Sequence, residues 1–67
     1  IGIGTYIGSQ SIVLPGVGIG SRCIVGANSL VKMDVPDRSV VAGSPARKIG
    51  QVVGDGRDTH VVYMPEQ

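Results

Sequence analysis

Residues 1–36 read IGIGTYIGSQSIVLPGVGIGSRCIVGANSLVKMDVP, and the spacing of their aliphatic side chains decides the fold. Ile1, Ile7, Val13, Ile19, Val25 and Val31 recur every six residues without a miss. Glycine follows at Gly2, Gly8, Gly20 and Gly26, with Leu14 and Lys32 as departures. Four residues after each aliphatic comes a small or β-branched residue: Thr5, Ser11, Val17, Cys23, Ser29 and Val35. Neither a helical period nor plain alternation generates a step of six. Short extended segments joined by tight turns do. Wound on a triangular cross-section with one hexad per side, the chain returns to the same edge after three hexads, one strand spacing of about 4.8 Å higher.

This geometry predicts an all-β chain in which aliphatics stack inside: Ile1 under Ile19, Ile7 under Val25, Val13 under Val31. The small inward residues stack likewise, Thr5 with Cys23, Ser11 with Ser29 and Val17 with Val35. Glycines, together with Pro15 and Gly16, serve corners where the backbone needs a positive φ or leaves no room for a Cβ. Hexapeptide repeats are one route to a parallel β-helix.

The repeat also divides the charge. Of the 67 residues, the first 31 carry only Arg22; Lys32, Asp34, Asp37, Arg38, Arg47, Lys48, Asp55, Arg57, Asp58 and Glu66 all follow. The net charge of +1 argues against wholesale binding of nucleic acid. No apolar run reaches the length of a membrane span. The chain starts Ile-Gly-Ile-Gly, with neither an initiator Met nor a basic leader, so no secretory signal is expected. A single Cys forms no internal disulfide, which suits the cytoplasm.

Residues 1–36 are expected to form the repeat coils, 37–50 a return strand with a short capping helix, and 51–67 a C-terminal tail. Pro36 ends the hexads, Asp37-Arg38-Ser39 reads as a turn, and Val40-Val41 suits an extended return across the last coil. Ser44-Pro45 reads as an N-cap and first helical position. Ala46 to Ile49 then supply one turn and Gly50 stops it. Such a helix would cover the open strand edges of the coil. Gly54-Asp55-Gly56 is a turn signal, and Val61-Val62-Tyr63 a short strand.

The stretch IGTYIGSQSIVLPGVGIGSRCIVGANSLVKMDVPDRSVVAGSPARKI, residues 3–49, resembles the C-terminal coils of hexapeptide-repeat acyltransferases. It is most similar to the branch of sugar and serine O-acetyltransferases that includes the galactoside and maltose enzymes. Asp34-Val35-Pro36 followed by Val41-Ala42-Gly43-Ser44-Pro45-Ala46-Arg47 carries the specificity, because it lies where that family leaves its repeat. The resemblance implies a left-handed parallel β-helix, an exception to the usual right-handed crossover. It further implies acetyl-CoA as co-substrate, with no metal, a small acceptor such as a sugar, and a homotrimer with coenzyme A in grooves between subunits. Two coils alone bury little surface, and repeat proteins generally need three or more repeats, which also favours association.

By the same resemblance, Ser9, Ala27, Lys32 and Arg47 occupy positions that contact coenzyme A: pantetheine amides pair with backbone beside small residues, and cations hold phosphates. The plainer reading makes Ser9 and Ala27 corner residues, and Lys32 and Arg47 solvated charges. Lys32 also sits one position earlier than the family's usual Thr-Lys pair, since Met33 follows it. Tyr6 either borders the acyl-donor groove or covers a neighbouring subunit. Cys23 occupies a small inward slot and reads as a packed thiol. The resemblance implies a general-base His in a coil upstream of residue 1. His60, the single histidine, matches neither its position nor its motif. No catalytic residue is therefore expected within these residues. A scaffold that only trimerises is the alternative, while a γ-class carbonic anhydrase needs several zinc-binding histidines.

Overall fold

The six-residue step builds parallel strand pairs. The computed structural model describes residues 1–64. β1 (Tyr6–Ile7) runs parallel to β3 (Ile24–Val25), and β2 (Ile12–Val13) parallel to β4 (Leu30–Val31). Ile7 lies opposite Val25 and Val13 opposite Val31, so each pair joins residues three hexads apart. At the start of the chain the Gly2 N–H donates to the Ile19 carbonyl at 2.8 Å, in the same register. Ser11 and Ser29 also meet as expected: the Ser29 N–H donates to Ser11 Oγ at 3.3 Å.

Corners are made by two kinds of residue. Positive φ recurs at Gly4, Gln10, Gly16, Arg22 and Asn28, again every six residues. The glycines that follow the aliphatics do something else: a Cβ at Gly8 would lie 2.5 Å from the Ala27 amide nitrogen and 2.8 Å from its Cα. Laps of the chain can approach this closely only without a side chain there.

The next lap is two residues short. β5 (Ser39–Gly43) runs parallel to β3 with Ile24 opposite Val40 and Val25 opposite Val41, and Ile19 bridges to Val35. Val35 therefore stacks on Ile19, which corrects the expectation that it would stack on Val17. The step from Val31 to Val35 spans four residues where Val13 to Ile19 spans six. Two carboxylates complete the shortened corner. Asp34 Oδ1 accepts the Gly18 N–H and Asp37 Oδ1 accepts the Ser21 N–H, each at 2.8 Å. The positive-φ position reappears at Arg38, in step with Arg22.

Inside lies one apolar column of Ile19, Cys23, Val25, Val31, Val35 and Val41, with Ile7, Val13, Val17 and Ala46 packed against it. Cys23 is fully buried, and its Sγ reaches the Pro36 carbonyl at 3.1 Å, as a packed thiol should.

No capping helix forms at Ser44–Ile49. β6 (Ala46–Val53) instead turns back antiparallel on β5, pairing Gly43 with Ala46 and Val40 with Gly50 across a bulge. Four helical residues would close almost no backbone hydrogen bonds. As a strand, the same stretch pairs with β5 on one side and β7 (His60–Tyr63) on the other. Val40 and Val52 are both buried in this arrangement. Gly50 permits the second pairing, because a Cβ there would lie 2.7 Å from the Val62 carbonyl oxygen. Gly54 and Gly56 take positive φ, and a short 3-10 turn, Gly56–Asp58, precedes β7, as the turn signal and the Val61–Tyr63 pattern led one to expect. The larger sheet runs β1-β3-β5-β6-β7, the smaller β2-β4. No helix among the described residues is long and apolar enough to cross a membrane.

Candidate functional site

The structure gathers the four residues singled out for coenzyme A into two places. Ser9 and Ala27 share one corner. The Ser9 carbonyl accepts the Asn28 N–H at 3.0 Å, so successive laps present them one above the other, both exposed. Their backbone and short side chains leave the corner open to solvent.

Lys32 and Arg47 line a single cavity of about 350 Å³. Val31, Val35, Val41 and Ala46 form its apolar wall, and Met33, Asp34 and Lys48 also line it. The hairpin that replaces the capping helix is responsible, because β6 carries Arg47 opposite Ala42 and Lys48 opposite Val41. Three cations against Asp34 favour an anionic group such as a phosphate. Ser39 lines the same cavity, is buried, and among the described residues its hydroxyl has no hydrogen-bond partner. Lys48 and Ser39 were not singled out from sequence. Only the strand pairing of residues 46–53 reveals them.

Tyr6 lies elsewhere, on the outer face of β1. It lines a groove of about 500 Å³ with Arg22, Ile24, Arg38, Val52 and Asp55. Its ring is exposed there.

His60 stands on β7, exposed. Its Nδ1 lies 2.7 Å from the Asp58 carbonyl. A carbonyl only accepts, so Nδ1 carries the proton and the ring is tied to its own loop. It lines neither the cavity nor the groove. Among the described residues no three His, Cys, Asp or Glu side chains come together as a metal site.

No family model matches the chain. Individual proteins do. It is 40% identical over 63 residues to the galactoside O-acetyltransferase of Escherichia coli (strain K12), a match covering 94% of this chain and 30% of that one. A solved maltose O-acetyltransferase from Clostridium difficile 630 superposes with a TM-score of 0.73 at 38% identity, over 75% of this chain and 27% of that one. A solved galactoside acetyltransferase in complex with coenzyme A gives 0.73 at 42% identity, over 75% of this chain and 25% of that one. The chain thus spans less than a third of the length of each.

Proposed function

Because the chain belongs to the hexapeptide-repeat acyltransferase family, we propose that it is the C-terminal part of an acetyl-CoA-dependent acetyltransferase acting on a sugar or other small hydroxyl acceptor. In this reading the laps wind as a left-handed parallel β-helix. Ser9 and Ala27 line the pantetheine path, and Lys32 and Arg47 hold phosphate. The observation that carries the proposal is the convergence of Lys32 and Arg47 on one cavity, although they lie 15 residues apart in the chain. That both line one cavity supports giving Lys32 the same role as Arg47, early as it is in sequence.

Acetyl-CoA supplies the activated acetyl group. The acceptor oxygen attacks the thioester carbonyl while a histidine from an earlier coil takes its proton; a C–O bond forms, the C–S bond breaks and the thiol departs. The residues of this chain bind and orient the donor and leave the proton transfer to that coil. A reducing compartment such as the cytoplasm suits Cys23, which is unpaired.

A homotrimer completes the reading. β2 and β4 turn Val13 and Val31 inward, and so Ile12, Leu14 and Leu30 outward. Ile12 is 58% exposed and Leu14 38%. An apolar outer face of this kind is what a neighbouring subunit covers.

The test is thiol release from acetyl-CoA by the full-length protein with galactosides, maltose and serine as acceptors. Turnover with a sugar is expected. Thiol release with none of them, by a protein that is folded and trimeric, would favour the non-catalytic scaffold instead.

A further inference from the structure

Arg22 and Arg38 occupy equivalent left-handed corners on successive laps, with φ of 56° and 62°, above Gly4 at 74°. Neighbouring laps lie about one strand spacing, 4.8 Å, apart, so the two guanidinium groups leave the coil on the same side. One carboxylate serves both. Asp55 Oδ1, carried by the tail loop, lies 3.2 Å from Arg38 and 3.7 Å from Arg22. Arg38 also donates to the Gly54 carbonyl at 3.1 Å. Among the described residues the Arg22 side chain donates no hydrogen bond, and it is 58% exposed. Asp37 borders both arginines on the far side, but its Oδ1 is held by the Ser21 N–H. The Asp55 carboxylate is 86% exposed, and pairs exposed to that degree are weak and easily displaced.

The two arginines rim the groove whose apolar floor is Ile24, Val52 and the exposed ring of Tyr6. We infer that this groove binds a phosphate-bearing small molecule, with Arg22 and Arg38 holding the phosphate and Tyr6 covering the flat body attached to it. A phosphate carries close to two negative charges and three acceptor oxygens, and the guanidinium fork matches it in two-point contacts. Asp55 occupies the place until such an anion arrives. The groove lies apart from the Lys32–Arg47 cavity and shares no lining residue with it. That the ligand is the acceptor of the reaction rests on the acetyltransferase reading; that it carries phosphate does not.

Calorimetry on the full-length protein with inorganic pyrophosphate and with uridine diphosphate tests the site directly. Both are expected to bind. Arg22→Ala should weaken both by about tenfold, the worth of one charge-assisted contact. Asp55→Asn should tighten both by removing the competing carboxylate, a gain that damaged folding would not give. Tyr6→Ala should weaken uridine diphosphate and spare pyrophosphate. Added coenzyme A distinguishes the sources of the phosphate: if it leaves uridine diphosphate bound, the phosphate belongs to the acceptor; if it competes and Arg22→Ala weakens it equally, the phosphate belongs to the donor. Binding of neither probe at millimolar concentration would overturn the site, as would affinities unchanged by Arg22→Ala and Asp55→Asn. Turnover of neutral sugars, measured alongside, would persist in that case and keep the acetyltransferase reading separate.

Discussion

Thr5 Oγ1 accepts the backbone N–H of Cys23 at 3.2 Å while donating to the Gly20 carbonyl at 2.7 Å, so one hydroxyl joins two laps of the chain. It meets backbone groups next to the corner, where the strands are too short to pair them fully. Thr5→Val keeps the shape and removes both bonds. The expected cost is about 1–2 kcal/mol, because a partly buried donor and acceptor lose their partner. Urea unfolding of the full-length protein measures it, and Thr5→Ser should stay close to the parent.

Gly8→Ala should be harsher, although it adds one methyl group. The new Cβ meets backbone atoms of Ala27, which cannot rotate away as a side chain would. Forcing two laps apart is overpacking, with a typical cost of about 1–3 kcal/mol. The same movement would separate Ser9 from Ala27. Loss of melting temperature together with weaker acetyl-CoA binding is the expected pair of results, whereas a loss of stability alone would detach the Ser9–Ala27 corner from donor binding.

Much of this architecture is legible in the sequence because interior and corner residues obey one period. Ile7, Val25 and their partners must be apolar to fill a narrow interior, and that demand is local and repeated. The short lap is hidden for the opposite reason. Val35 keeps an apolar residue in step with Val17, and nothing in Lys32-Met33-Asp34 marks the removal of two residues. Only the carboxylates of Asp34 and Asp37, bound to Gly18 and Ser21, show how the deletion is accommodated. Ser44-Pro45 misleads in a similar way, since it carries helix-start chemistry. The pairing of residues 46–53 with strands on both sides outweighs that local preference. Arg22 is a corner of the repeat, but Asp55 lies beyond it and far away in sequence, so no pattern announces their meeting.

The exposed side of β2 and β4 gives a prediction about assembly. Ile12→Glu replaces an apolar side chain that is already 58% exposed in the single chain, so the fold of one subunit should survive. In a trimer that buries this face, the same change puts three carboxylates into an apolar contact, which is costly without partners. Light scattering should show monomers with unchanged strand content by circular dichroism. A trimer of undiminished stability would move the subunit contact to another face.

Arg47 and His60 separate binding from chemistry. Arg47 lines the cationic cavity with Lys32, whereas His60 hydrogen-bonds within its own loop and lines neither the cavity nor the groove. In the full-length protein Arg47→Ala should raise KM for acetyl-CoA by about tenfold and lower kcat much less, because phosphate binding is equal in ground and transition states. His60→Ala should leave both nearly unchanged. A general base typically contributes roughly 10²–10⁴-fold in rate, so the 67 residues by themselves should release thiol from acetyl-CoA at close to the uncatalysed rate. Appreciable turnover by this chain alone, abolished by His60→Ala, would make His60 the base and transfer the catalytic centre from an earlier coil to the tail strand.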